Sequence, residues 1–292
     1  MQIVHTLADL RRALNPAALR AFVPTMGNLH QGHLELMQMA RQEVDKRTPT
    51  GGMTVASIFV NRLQFGPNED FDTYPRTFEA DCTKLENAGC DVLFAPKEQE
   101  LYPEPQTFKV LPPPELADIL EGHFRPGFFT GVCTVVMKLF QAVQPAHAVF
   151  GMKDYQQQMV LRRMVQQFNM PVAMHTGATL RANDGLALSS RNGYLSETER
   201  AEAVQLHQAL QGLAHATKAA LQRGELNSHI LQGLEAQSMA KLNERGWQTD
   251  YLTVRRRHDL QAPKFSTETD EALVVLGASR LGKTRLIDNL EF

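Results

Sequence analysis

Phe22-Val23-Pro24-Thr25-Met26-Gly27-Asn28-Leu29-His30-Gln31-Gly32-His33 is the stretch on which the reading of this 292-residue chain turns. The apolar lead-in from Ala21 to Val23 reads as the end of a β-strand, and Thr25 to Leu29 as a tight connection with Gly27 inside it. From Gln31 onward apolar residues recur at helical spacing, at Leu34, Met37, Ala40 and Val44. Strand, glycine turn and helix therefore follow one another, with His30 and His33 sharing one face of the first helical turn. A helix start carries unpaired N–H groups and the positive end of its dipole, which suits an anion such as phosphate. Two imidazoles there add donors for phosphate oxygens, and Gly32 lets something bulky lie against the backbone. The plainer reading is a helix start with two solvated histidines. The whole string Thr-x-Gly-x-x-His-x-Gly-His after a strand is far more specific than two histidines alone.

That string resembles the HxGH signature of the nucleotidyltransferase superfamily, whose members bind ATP and act at its α-phosphate. The rest of the composition is ordinary for a soluble globular chain, 43% apolar and 21% charged, and long enough for one large or two smaller domains. A net charge of −2 argues against a nucleic-acid groove. Arg255-Arg256-Arg257 reads as a solvated face. Cys82, Cys90 and Cys133 form no CxxC pair and read as small apolar fillers in a reducing compartment. The first residues lack the pattern of a signal peptide, and no apolar run nears the length of a membrane span. A cytoplasmic protein with neither a nucleic-acid nor a membrane partner is expected.

Outward from the opening stretch, strand and helix alternate. Thr6 caps a first helix through Leu14, and Thr54 to Val60 reads as a buried parallel strand. A helix over Thr77 to Ala88 and a strand over Val92 to Phe94 follow. Glu115 to Glu121 reads as a short helix, and Phe129 to Val143 as a long one whose apolar face is wide enough for a central position or a subunit interface. The series ends with a strand at Ala148 to Phe150, a helix at Tyr155 to Phe168 and a strand at Val172 to His175. The alternation then stops. Glu197 to Arg223 and Leu226 to Arg245 read as helices, and Tyr251 to Val254 and Ala272 to Leu276 as strands. This predicts an α/β protein: a Rossmann-like open parallel sheet over residues 1–178, and a smaller mixed α+β lid over 179–292.

Ligands of such sheets sit at the carboxyl ends of the strands. Asn61 and Gln64 follow one strand; Gly151, Met152, Lys153, Asp154, Gln156 and Gln157 follow another; Arg181 and Leu188-Ser189-Ser190-Arg191-Asn192 follow the last. Taken singly, each has a plainer explanation as a surface residue or a cap. Amide side chains suit a small polyhydroxy acid, and lysine and arginine suit triphosphate oxygens.

These stretches are similar to the pantothenate synthetase, or pantoate–β-alanine ligase, family over essentially the whole chain. Tyr74-Pro75-Arg76-Thr77, Arg125-Pro126-Gly127, Asp184 through Asn192 and Arg285-Leu286-Ile287-Asp288-Asn289 add to the resemblance. It implies a Mg²⁺-dependent ligation of pantoate and β-alanine at the expense of ATP, through a pantoyl adenylate, releasing pyrophosphate and AMP. It implies that His30, His33 and Lys153 are catalytic, with His33 the proton donor. It places ATP against Met26, Gly27, Gly32, Gly151, Asp154, Leu180 and Leu188 as well, with Ser189, Ser190 and Arg191 on its phosphates. Gln64 and Gln157 would hold pantoate, Gln64 also β-alanine, and Asp81 is a candidate metal ligand. A homodimer is expected, motivated by the apolar helix from Phe129. Three residues depart from the family pattern: Arg62 replaces the usual proline, Phe128 a histidine and Met152 a glutamate.

Two alternatives compete. Gly277-Ala278-Ser279-Arg280-Leu281-Gly282-Lys283-Thr284 matches the P-loop pattern to the letter. A P-loop needs a helix after it, and the chain ends at Phe292, so Lys283 is expected in a turn between two strands. The other is a nucleotide-sensing protein without turnover, against which the joint presence of His30, His33 and Lys153 argues.

Overall fold

A computed structural model describes every residue except 17, 49, 50, 68 and 266–271. Its contacts divide the chain into two compact units, Met1–Thr179 and Leu180–Phe292.

In the first unit the strands are β1 (Gln2–Val4), β2 (Arg20–Thr25), β3 (Met53–Ile58), β4 (Val92–Phe94), β5 (His147–Gly151) and β6 (Ala173–Gly177). The helices are α1 (Leu7–Ala13), α2 (Gln31–Asp45), α3 (Phe78–Asn87), the short α4 (Glu98–Leu101), α5 (Pro114–Ala117) and α6 (Glu121–Phe124), then α7 (Phe128–Val143) and α8 (Tyr155–Gln167). The strands form one 6-stranded sheet in the order β1-β4-β3-β2-β5-β6, with every pairing parallel. From β2 the chain steps outward through β3 to β4, then returns to the other side of β2 for β5 and β6. The direction reverses between β2 and β5, and the crevice of an open α/β sheet lies at the carboxyl ends of those two strands. They end at Thr25 and Gly151.

β2 is covered on both faces, as a parallel strand must be. Ala21 and Val23 pack with Met37, Ala40 and Val44 of α2. Phe22, pointing the other way, meets the edge of the Phe140 ring of α7 at 6.3 Å between centroids. α7 buries residues around most of its circumference, including Val132, Cys133, Val136 and Phe140. Its wide apolar face is therefore absorbed inside this unit: the helix is central, and the homodimer loses the feature that motivated it. The helix expected over 115–121 is broken into α5 and α6 at Leu120, whose φ is +50°. Cys90 and Cys133 are buried fillers as expected, their thiols pushed up to about 12 by burial.

The second unit opens with a narrow hairpin, closed by a bridge between Arg181 and Ala187, and a short 3-10 turn over Ser190–Tyr194. α9 (Glu197–Glu202), α10 (Val204–Gln222) and α11 (Ser228–Glu244) precede an antiparallel 3-stranded sheet of β7 (Gln248–Arg256), β8 (Leu273–Leu281) and β9 (Thr284–Glu291), in that order. The single helix expected from Glu197 is two, α9 and α10. Leu206, Leu210 and Leu213 of α10 pack with Leu252, Val254 and Val275 of the sheet. Leu281 pairs with Thr284, so Gly282 and Lys283 form a two-residue turn leading straight into β9. A strand stands where a P-loop needs a helix, and that alternative is excluded.

Buried Asp288 is the polar lock of this unit. Arg181 forks it, with Nη1 donating to Oδ2 at 2.6 Å and Nη2 to Oδ1 at 2.9 Å. His207 Nδ1 lies 3.2 Å from the same carboxylate. Burial opposes ionisation of Asp288, yet the adjacent His207 ring and the hydrogen bonds from Arg181 hold its carboxyl below the usual range. Removing Asp288 leaves the partly buried Arg181 without its carboxylate, held only by Gly185 O and Asn289 O. Urea unfolding should show Asp288→Ala losing about 3–5 kcal/mol and Lys283→Ala no more than about 0.5 kcal/mol. An Asp288→Ala variant of wild-type stability would remove the lock from this account.

Candidate active site

The turn after β2 is fixed from two sides. The Thr25 hydroxyl donates to Ser57 O at 2.7 Å and accepts the Gly27 N–H at 3.2 Å. Gly27 has φ +85°, and a Cβ there would stand 3.1 Å from Ile58 Cγ2 and 3.2 Å from Asp81 Oδ2, so backbone and space both call for glycine. Asp81, buried in the first turn of α3, accepts the N–H groups of Asn28 and Leu29, each at 2.8 Å, and the Thr77 hydroxyl at 3.0 Å. One turn on, Lys84 donates to Leu29 O at 2.7 Å. The structure thus gives Asp81 a different task from the metal ligation expected of it. Both oxygens are taken by donors, and a metal would displace backbone N–H groups of a tight turn. Asp81 is the anchor of that turn.

His30 is the N-cap of α2: its Nδ1 accepts the Gly32 N–H at 3.1 Å. His33 reaches back, its Nδ1 accepting the His30 N–H at 3.3 Å, with the two ring centroids 4.1 Å apart. This is a capping box in which imidazoles stand for the usual hydroxyl and carboxylate. A nitrogen that accepts cannot also hold the hydrogen, so each neutral ring carries it on Nε2. Burial, with the nearby Lys153 charge, pushes His30 down to about 4, Asp154 opposing. Burial, with His30 and Lys153, pushes His33 down to about 3. Both are neutral near pH 7 and present two N–H donors.

Lys153 and Asp154 lie just past the end of β5, the ammonium 3.6 Å from the carboxylate. Gly151 closes β5, and the Met152 N–H donates to Gly177 O at 2.8 Å. The departure at Met152 therefore leaves the backbone path intact.

Gln64 ends a short 3-10 turn over Arg62–Gln64. Its Nε2 lies 3.1 Å from Met26 Sδ, and its Oε1 accepts Asn61 Nδ2 at 3.2 Å. α7 presses directly on this turn at Gly131, where a Cβ would stand 2.2 Å from Leu63 O. Arg125 forks Glu69 with two bonds of 2.6 Å and donates to Gln64 O at 3.2 Å. The other two departures support this loop. The Arg125 guanidinium stacks 3.7 Å over the Phe128 ring, and that of Arg62 lies 3.8 Å over Phe71. Gln157 has no side-chain hydrogen bond among the described residues. Its neighbour Gln156 is buried and donates to Leu116 O and Ile119 O at 2.8 Å each.

The remaining expected residues belong to the second unit. The Leu188 N–H donates to Leu180 O at 2.9 Å, and Ser189 Oγ caps the turn by accepting the Arg191 N–H at 3.2 Å. Arg181 is committed to Asp288. Sequence reasoning passed over Lys84 and Gly131. Lys84 had a signal, three residues from Asp81 on one face of a helix; Gly131 had none.

His30 and His33 are linked to stability with a definite sign. Their folded values, about 4 and about 3, lie below the ordinary 6.5. Between those limits the unfolded chain binds protons that the folded chain refuses, so stability rises with pH and is fully present above the unfolded value. Urea unfolding should show the protein weaker at about pH 5 than at about pH 7, and the His30→Gln/His33→Gln double variant losing less over the same interval. An equal loss in both proteins would contradict these values.

Over residues 2–291 the chain matches the family described as Pantoate-beta-alanine ligase. It is 61% identical to the pantothenate synthetase of Leptothrix cholodnii and 60% identical to that of Paracidovorax citrulli, with 100% of each chain covered in both comparisons. The solved pantothenate synthetase from Thermus thermophilus superposes with a TM-score of 0.87 at 42% identity, covering 100% of this chain and 99% of that one. A pantoate-beta-alanine ligase from Francisella tularensis, complexed with beta-gamma ATP and beta-alanine, gives 0.77 at 31% identity, covering 100% and 97%. Sequence and fold agree from one end of the chain to the other, and the chain belongs to the pantoate-beta-alanine ligase family.

Proposed function

We propose that the protein is an AMP-forming pantoate–β-alanine ligase serving pantothenate synthesis. The observation that carries this reading is the reciprocally capped His30–His33 pair beside the strand-order reversal, in a chain of this family. A pantoate carboxylate oxygen attacks the α-phosphorus of ATP, the bond to the bridging oxygen breaks, and pyrophosphate leaves. The β-alanine amine then attacks the acyl carbon of pantoyl adenylate, loses a proton and expels AMP. The first step needs alignment and charge neutralisation more than covalent help.

His30 and His33 donate through Nε2–H to phosphate oxygens, and Lys153 meets the charge that grows on the transferring phosphoryl. Met26, Gly27, Gly32, Gly151 and Asp154 shape the nucleotide site around them. Gln64 and Gln157 hold pantoate, and Gln64 also β-alanine. Of the second unit, Leu180, Leu188, Ser189, Ser190 and Arg191 are the residues proposed to meet ATP. Mg²⁺ enters with ATP, since it keeps waters and phosphate oxygens as ligands and Asp81 is otherwise engaged. A cytoplasmic homodimer completes the reading. No helix is long and apolar enough to cross a membrane among the described residues. Phe108 and Leu111, 89% and 76% exposed, offer apolar surface to a second copy. Sedimentation showing a monomer at micromolar concentration would remove the dimer.

Pantoate and Mg·ATP alone should release pyrophosphate, with β-alanine needed only for AMP. ADP as product, or pyrophosphate appearing only with β-alanine, would refute adenylation. Lys153→Ala should lower kcat by about 10²–10³-fold while changing ATP affinity far less. His33→Ala should slow the first step by roughly 10²–10⁴-fold.

A further inference from the structure

A second cluster of chemically capable side chains lies at the amino-terminal end of β5, away from the crevice. His147 opens β5, His175 sits in β6, and Glu43 comes from the last turns of α2. His147 Nδ1 is 2.9 Å from His175 Nε2, which is 4.0 Å from Glu43 Oε2. One donor atom from each of the three lies within 4.8 Å of the others. We propose that Glu43, His147 and His175 form a Zn²⁺ site that staples α2 to strands β5 and β6.

The distances suit that ion. Tetrahedral Zn²⁺ with bonds of about 2.0–2.1 Å holds its ligand atoms roughly 3.3 Å apart. The separations of 2.9 and 4.0 Å straddle this value and the third is within 4.8 Å, so rotations of the partly exposed Glu43 and His175 side chains close the set around the buried His147. The protons allow it as well. Two ring nitrogens 2.9 Å apart cannot both carry hydrogen, so at least one lone pair already points into the gap. Moving the shared hydrogen to the far nitrogen of its own ring turns both lone pairs inward, with no proton lost and no charge changed. The Glu43 carboxylate is already oriented by two cations, Lys46 and Arg47, one on each oxygen. Lys46 binds Oε1 at 3.0 Å and can stay, while Arg47, on Oε2 at 2.8 Å with a half-exposed side chain, swings into solvent as the ion arrives.

Two imidazoles and one carboxylate select a borderline ion such as Zn²⁺ over Mg²⁺, whose preferred ligands are oxygens. His147 is 5% exposed, whereas Glu43 and His175 are reachable from solvent, leaving a mouth for entry and a fourth position for water. The three ligands come from a helix and two strands, so the ion acts on the framework. Glu43 lies roughly 20 Å along α2 from His30, at about 1.5 Å per residue. The site is therefore structural.

The test titrates Zn²⁺ into the full-length, chelator-stripped protein by calorimetry and follows the thermal midpoint. The wild type should bind Zn²⁺ with a midpoint that rises with its concentration. His175→Gln and Glu43→Gln should each weaken binding at least about 10-fold and lose the rise. His147 is buried, so if His147→Gln fails to fold, the other two carry the result. The His30→Gln/His33→Gln variant should keep both binding and midpoint shift, because the phosphate-site histidines are not the ligands. A wild type that binds no Zn²⁺, a His175→Gln variant that binds like wild type, or binding lost only with His30 and His33 would each overturn the site.

Discussion

Two backbone N–H groups decide the state of the candidate active site. Gly32 and His30 each donate to an imidazole Nδ1, at 3.1 and 3.3 Å, so each neutral ring keeps its hydrogen on Nε2. The same bonds satisfy orphan donors at the start of α2, so the features that begin the helix also set the tautomers. They work only if the chain enters α2 in one direction. That entry is set from α3, where Asp81 holds two N–H groups and Lys84 one carbonyl of the turn. Local helix chemistry and one tertiary anchor thus cooperate to aim two donors.

The strand, turn and helix around His30 were legible because each leaves a local mark: an apolar run, a glycine and a period of three to four. The parallel order followed from alternation, since short crossovers leave few choices. The role of Asp81 was not legible. Its partners Asn28 and Leu29 lie more than fifty positions away, and a carboxylate near a phosphate motif reads as a metal ligand when its partners are unseen. The wide apolar face of α7 suffers the same limit. Periodicity says that such a face must be covered, whereas the approach of Gly131 to Leu63 says by what.

The P-loop look-alike shows why context outweighs composition. Gly277 to Thr284 has every letter of the motif, yet the letters lie along β8 and through its turn into β9. A P-loop binds phosphate because successive N–H groups point into one concavity before a helix. In a hairpin, successive N–H groups alternate between the two edges of the strand, and those of β8 are engaged with β7 and β9.

The neutrality of His30 and His33 bears on how the proposed reaction could be fast. A triphosphate is already strongly anionic before any chemistry occurs. Two imidazolium ions beside it would bind ATP and pyrophosphate tightly without favouring the transition state, which deepens the ground state and does not raise kcat. Burial and the nearby lysines keep both rings neutral. They can then orient phosphate oxygens through Nε2–H while adding no fixed charge. Under the proposed roles, Lys153 supplies positive charge where negative charge grows during attack. Burial is the larger cause of the depressed histidines, and Lys153 adds to it in both rings. The two neutral donors thus depend in part on one cation: each ring stays uncharged partly because the lysine stands beside it.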